Sequence, residues 1–261
     1  MTKDRVALGS AIFALHDPHP GHERDFNRWY ERDHMYAGAV LAPWVLSAQR
    51  WVATAPLKDL RYPAEGPFGA ARRGSYLAAY WIQEGRLEDQ QAFAMVENAK
   101  IAEQGRNFEH RDAVSATTYE YVGGVERDPD GVPPELALEH RFPGLVLAVV
   151  ERSGAPLEEL RSWLVDEHLP AAMAGSPIAL SLLFTPLPKA DWWPKAAPEV
   201  PGVGDRFFLT FFLEADPGAC WDDQFKSFGK GVEGSGLARA LLVAPFIPTV
   251  PGTDAYTDQL F

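Results

Sequence analysis

The chain has 261 residues and a net charge of −12, from 36 acidic and 24 basic side chains. That balance works against nucleic acid and anionic membrane surfaces as partners, since both call for clustered Lys and Arg. Arg72-Arg73 is the nearest thing to a cluster. The single Cys220 excludes an intrachain disulfide framework and any multi-cysteine metal site. No run of 18 apolar residues is present, and the opening residues do not resemble a signal peptide, so a cytoplasmic protein is expected.

Val6–His16 is rich in Val, Leu, Ile and Phe and reads as a strand, closed by the turn Asp17-Pro-His-Pro-Gly21. From His22 the pattern turns helical, with Phe26, Trp29, Tyr30, Asp33 and His34 on one face. Val45–Ala55 alternates as a strand, and 56–74 is a long Pro- and Gly-rich loop. Ser75–Gln83 is a strand carrying Tyr76 and Tyr80, Leu87–Gln104 a helix, and Val114–Val125 a strand with Tyr119 and Tyr121. The order is β-α-β-loop-β-α-β.

After Asp128-Pro-Asp-Gly-Val-Pro-Pro134 the order repeats. Strands are expected at Leu145–Glu151, Ile178–Thr185, Arg206–Glu214 and Leu237–Ile247. Helices are expected at Leu157–Ala174 and Trp221–Gly231. A second long loop, 186–204, holds Trp192 and Trp193. The repeat is also explicit in the residues. Trp29, Asp33 and His34 return as Trp163, Glu167 and His168, each 134 residues later. That period fits a duplicated small domain rather than a solenoid. We expect a first unit at 1–126, a linker at 127–139, a second unit at 140–250 and a tail at 251–261. The fold class is α+β: two tandem ferredoxin-like βαββαβ units packed sheet to sheet as one intrachain α/β barrel. Side chains alternating on the inner faces are then expected to line a cavity.

The Trp/Tyr-x-x-x-Glu/Asp-His ending of the first helix, in both halves, resembles the dimeric α/β-barrel superfamily. Within it the motif is most similar to the EthD-like and muconolactone-isomerase-like branches. Asn107-Phe108-Glu109-His110-Arg111 also resembles that group. The resemblance implies cofactor-free isomerases, cyclases, monooxygenases or haem enzymes, and fold alone does not choose among them.

His34 beside Asp33 is the candidate acid/base, because a histidine near its ordinary pKa can exchange a proton at neutral pH. Asp33 is its expected orienting partner, and Tyr30 or Tyr80 the expected hydrogen-bond donor to a developing oxyanion. The competing structural reading is that such pairs tie the helix end to the sheet. It is preferred for His168, because Leu164 replaces Tyr30 there. Trp29, Tyr76, Tyr80, Tyr119, His110, His168 and Trp192 are the expected substrate contacts, with the four tyrosines 76, 80, 119 and 121 on one sheet face. His16 ends a strand and is a candidate to face the cavity. His16-x-x-His19-x-x-His22 has metal-like spacing, but no acid or Cys lies among the three at ligand spacing, and a solvated turn is the better reading. No metal and no cofactor are expected.

The expected activity is acid/base proton transfer on a small hydrophobic, aromatic or cyclic compound, of isomerase, cyclase or lyase type. The alternatives are a haem-binding duplicated barrel and a non-catalytic small-molecule-binding protein. The long loops are expected as lids or as a homodimer contact. No Walker loop, G-x-G-x-x-G or G-x-S-x-G is present.

Overall fold

The computed structural model describes residues 6–190 and 199–261. In chain order the strands are β1 Leu8–Pro18, β2 Val45–Val52, β3 Glu65–Gly66, β4 Gly69–Ala70, β5 Tyr76–Gln83 and β6 Arg111–Glu126. They continue with β7 Gly144–Arg152, β8 Ile178–Pro186, β9 Arg206–Leu213 and β10 Ala238–Pro248. The helices are α1 Glu23–Trp29, α2 Ala55–Leu60, α3 Leu87–Glu103, α4 Leu157–Trp163, α5 Leu169–Met173, α6 Trp221–Gln224 and α7 Phe228–Gly234. Eight strands close into one antiparallel barrel, in the order β1-β5-β2-β10-β7-β9-β8-β6. This is the expected pair of ferredoxin-like sheets. The loop expected over 56–74 carries α2 and the small β3–β4 ribbon.

The two halves meet at two seams. At one, β6 pairs with β1 along its first part and with β8 along its second. The crossing is made at a bulge between Tyr121 and Gly123, where Gly123 has φ +142°, a value that favours glycine. At the other seam β2 and β10 share only two pairs, Ile247↔Val52 and Pro248↔Trp51. Beyond them Thr249 still bonds the Arg50 carbonyl, and the chain then leaves the sheet as the C-terminal tail, so the β2 edge over 45–49 is open.

The barrel interior is filled. All eight strands contribute to one apolar core, including Phe13, Trp81, Tyr119, Phe184 and Phe208. Phe13 lies 5.1–5.7 Å from the rings of the other four. An eight-stranded barrel is just wide enough for side chains to fill it. The expected ligand cavity between the sheets is therefore replaced by packing, with cavities of about 280 Å³ beside Tyr119 and Phe208 and about 580 Å³ beside Leu8 and Tyr121.

Register also splits the four tyrosines. Tyr76 pairs with His16 and Tyr80 with Ile12, whereas Tyr119 pairs with Ala11. Residues of opposite parity on β1 face opposite sides. Tyr119 and Tyr121 accordingly face the interior, and Tyr76 and Tyr80 face outward under α1. The expectation that all four share one face is corrected.

Candidate functional site

Each copy of the repeated motif continues its helix as a π-helix, Tyr30–His34 after α1 and Leu164–His168 after α4. A π-turn bonds i to i+5 and brings residues five apart onto one side. Trp29 and His34 therefore stack, with ring centres 4.5 Å apart, and Trp163 and His168 do the same at 4.5 Å. The shared residues of the motif are thus a stacking pair. The same winding turns Asp33 away from His34 and onto Arg106, which donates two hydrogen bonds to its carboxylate. Trp29 donates its Nε1–H to the Arg106 carbonyl at 2.7 Å, so the Arg106 loop is tied to the helix twice.

Between this helix and the outer face of the first sheet lies a buried polar cluster. His16, Tyr30, Arg50, Tyr76 and Tyr80 are all at most 4% exposed. The Tyr30 and Tyr80 hydroxyls share a 2.9 Å hydrogen bond. The Arg50 guanidinium lies 4.6 Å from the Tyr30 ring centre and 4.8 Å from that of Tyr76, a cation–π arrangement. Its Nη1 donates to Asn27 Oδ1 at 2.8 Å and forms an ion pair with Glu31 at 3.4 Å. Several buried atoms nevertheless have no protein partner: Arg50 Nε and Nη2, the Tyr76 hydroxyl, Arg111 Nε, and Nδ1 of both His16 and His34. Buried polar atoms are rarely left so.

Electrostatics follow from this burial. Desolvation first, then Arg111, His34 and Arg50, push the His16 pKa down to about 3. Burial, then Arg111, outweigh Asp33 and bring His34 down to about 4. Both imidazoles are neutral at pH 7. Burial raises the Tyr76 phenol to about 12, and the nearby Arg50 only partly offsets it. An imidazole titrating near 4 is a poor match for proton transfer at neutral pH.

The second half supplies an internal control. Val150 pairs with Phe207 as His16 pairs with Tyr76, and Val146 pairs with Phe211 as Ile12 pairs with Tyr80. Leu183 sits opposite Leu209 as Arg50 sits opposite Ala78, and Leu164 follows its Trp as Tyr30 does. His16, Tyr30, Arg50, Tyr76 and Tyr80 thus correspond to Val150, Leu164, Leu183, Phe207 and Phe211. All five counterparts belong to one apolar core, and none is more than 2% exposed. The fold does not need the polar set.

The cluster borders solvent at the open β2 edge. A cleft of about 1050 Å³ lies there, walled by Glu31, Met35 and Arg50 on one side and by Leu138, Phe142 and Val250 on the other. The remaining expected site residues lie elsewhere. His16 faces the helix layer between Phe26 and Tyr30, not the barrel interior. Tyr119 is in the interior core, and His110 stacks on His22 at the surface at 3.8 Å. His168 is in the second half, and Trp192 lies outside the described residues. His19 bonds Asp112, and among the described residues no group of three metal-ligating side chains converges. Sequence reasoning missed Arg50, Arg111 and Asn27.

No protein-family model matches the chain, and no curated protein does either. Solved structures do match in shape. One is an anthrone oxidase-like protein, with 10% identity, TM-score 0.57, and 96% of this chain and 98% of that one covered. A second is a dye-decolorizing peroxidase from Bacteroides thetaiotaomicron VPI-5482, with 11% identity, TM-score 0.53, and coverage of 98% and 96%. A third is a DypB variant from Rhodococcus jostii RHA1 in complex with haem, with 10% identity, TM-score 0.50, and coverage of 97% and 95%. The chain shares its fold, two ferredoxin-like sheets closed into one barrel, with these proteins. At these identities the likeness carries fold alone.

These neighbours overturn the expected cofactor-free isomerase, cyclase or lyase. They are described as an oxidase-like protein, a peroxidase and a haem complex, which favours the haem-binding alternative over the expected one. The pKa of about 4 at His34 and the capture of Asp33 by Arg106 point the same way.

Haem can be tested against the residues present. His168 Nε2 is buried with no partner, and burial lowers its pKa, so the imidazole is neutral as a metal ligand must be. The space beside it is closed, however. Trp163 covers one ring face, Phe228 lies 5.6 Å away, and a Cβ on Gly231 would sit 3.4 Å from His168 Cε1. Leu164, Phe207, Phe211 and Phe225 fill the adjoining layer. The donor suits haem, but the packed layer does not admit the macrocycle.

Proposed function

We propose that the first-half pocket binds a small, planar aromatic compound carrying a carboxylate or oxyanion. The observation that supports this reading is the polar set itself. It is buried, partly unpartnered, and apolar at every matching position of the second half. Arg50 Nε, Arg50 Nη2 and the Tyr76 hydroxyl are free donors for an oxyanion. Phe26, Tyr30, Tyr76 and Phe108 pack ring against ring beside this set, and the cleft at the β2 edge, which Arg50 lines, offers entry. In this reading Tyr30, Tyr76, Tyr80 and Trp29 form the walls, and His34 is a neutral wall group rather than an acid. The division into units at 1–126 and 140–250 with a tail at 251–261, and a homodimer through the long loops, belong to the same proposal.

The test is calorimetric titration with 2-naphthoate and its neutral amide, on wild type and Arg50→Leu, the residue its counterpart carries. Wild type is expected to prefer the acid. The variant is expected to lose about 10–100-fold in affinity for it, as removal of a charge-assisted hydrogen bond of about 1.5–3 kcal/mol implies. Equal binding of 2-naphthoate by both proteins would end the proposal.

A haem-binding reading comes second. The unpartnered His168 Nε2 and the haem complex among the structural neighbours favour it, and the closed packing opposes it. A Soret band in purified or haem-supplemented protein, lost in His168→Ala, would install it.

A further inference from the structure

The residues that hold Arg50 are themselves held by the C-terminal tail. Asn27, whose Oδ1 accepts from Arg50 Nη1, donates its Nδ2–H to the Thr253 carbonyl at 2.9 Å. Glu31, the ion-pair partner of Arg50, accepts the Gly252 N–H at 3.0 Å. Both contacts come from the stretch of chain that leaves β10 at the open seam. Thr249 N–H bonds the Arg50 carbonyl at 3.1 Å, so the tail starts against Arg50's own backbone. Asp254 clamps the outer side of α1 through Arg28 at 2.5 Å and Arg24 at 3.5 Å. Further on, Ala55 N–H bonds the Gln259 carbonyl at 2.7 Å, and Leu260 is 1% exposed in the same aromatic cluster as Phe26, Tyr30 and Tyr76.

A guanidinium has five N–H donors in a fixed plane. Tying Nη1 to Asn27 and Glu31 fixes which way Nε and Nη2 point. Asn27 can accept from Arg50 in this way only while its amide is oriented, and the Thr253 carbonyl is what orients it. Among the described residues the second half shows no such arrangement. Arg161, the residue matching Asn27 at the 134-residue period, turns to Glu158 along its own helix at 2.5 Å.

Resting on the pocket reading above, we infer that the tail is a positioning element of the first-half site: Thr253 and Gly252 set Asn27 and Glu31, and these aim Arg50 at the ligand. Tail docking and ligand binding are then linked, and linkage is reciprocal.

The experiment uses the full chain with Asp254→Ala and Leu260→Ala; the side-chain polar contacts of Arg50 go to Asn27 and Glu31 and to neither of these residues. Amide exchange of residues 250–261 and the affinity for 2-naphthoate are both measured. Each variant is expected to speed tail exchange by about tenfold and to weaken 2-naphthoate by a similar factor. In wild type, saturating 2-naphthoate is expected to slow exchange at Gly252 and Thr253, which a purely structural tail would not show. Asp254→Ala alters a partly exposed ion pair, so it keeps the test open if Leu260→Ala unfolds. Faster tail exchange with unchanged affinity, or no slowing in wild type on saturation, would overturn the inference. If wild type binds no 2-naphthoate, the pocket reading falls separately. Exchange alone then decides whether Asn27 and the tail are coupled: Asn27→Leu must free 250–261, and continued protection there refutes the coupling.

Discussion

Two tyrosines of the pocket differ in one respect that sets the sign of the same mutation. Tyr76 and Tyr80 are both buried, at 2% and 4% exposure, and both replace Phe in the second-half arrangement. The Tyr76 hydroxyl has no protein partner, whereas the Tyr80 hydroxyl is bonded to that of Tyr30 at 2.9 Å. Burying an unbonded hydroxyl costs about 1–3 kcal/mol. Tyr76→Phe removes that cost and leaves the ring contacts with Phe26 and Arg50, so it is expected to stabilise by about 1–2 kcal/mol. At about 2–4 °C per kcal/mol for a chain near this size, Tm rises by roughly 2–8 °C. Tyr80→Phe deletes a made bond and leaves the Tyr30 hydroxyl alone, so it is expected to destabilise by about 1–3 kcal/mol. Urea unfolding followed by tryptophan fluorescence gives both values, with an unchanged m as the sign of unchanged two-state behaviour. Shifts in the same direction would refute the assignment of Tyr76 as an unsatisfied group kept for a ligand.

Acid stability follows from the two buried imidazoles. The folded pKa of His16 is about 3 against 6.5 unfolded, so the unfolded chain takes up its proton first as pH falls. Stability is therefore full above about 6.5 and is lost towards 3, at up to about 1.4 kcal/mol per pH unit for each such histidine. His16→Val is expected to lower that slope by up to one proton in a pH series of unfolding curves, and an unchanged slope would show that His16 is not buried neutral. Asp33→Ala breaks a partly exposed pair with Arg106, and is expected to cost at most about 1 kcal/mol and leave 2-naphthoate affinity within twofold. A tenfold loss of affinity would restore Asp33 to the site. Gly144→Ala places a Cβ 2.6 Å from Pro217 Cδ and 2.9 Å from the Ala215 carbonyl, and is expected to cost about 1–3 kcal/mol in thermal unfolding.

The duplication was legible because Trp29 and His34 return as Trp163 and His168 at a constant offset, and because the order of strands, helices and long loops repeats in both copies. The meaning of the motif was less so. A 3.6-residue period puts Asp33 beside His34, while the π-turn puts Trp29 there instead. The five-residue Trp-to-His spacing, identical in both halves, was the available signal. Strand faces were not readable, because the sheets are apolar on both sides and only the register separates Tyr76 from Tyr119. Arg50 escaped for a related reason. Its counterpart is Leu183, one residue short of the 134-residue offset, so comparing the halves at a fixed period sets Arg50 against Phe184. Asn27 could not be recognised without the tail, which approaches from more than 220 residues away in sequence.

In the proposed reading the first-half polar set serves a ligand and not the fold. Its most direct test is the variant carrying all five second-half residues: His16→Val, Tyr30→Leu, Arg50→Leu, Tyr76→Phe and Tyr80→Phe. Unfolding free energy and 2-naphthoate binding are measured on the same sample. Cooperative unfolding at or above wild-type stability is expected, because replacing buried charged and unpartnered groups by apolar ones is often neutral or stabilising by about 1–4 kcal/mol, together with complete loss of 2-naphthoate binding. A variant that loses several kcal/mol, or that binds 2-naphthoate as wild type does, would contradict it.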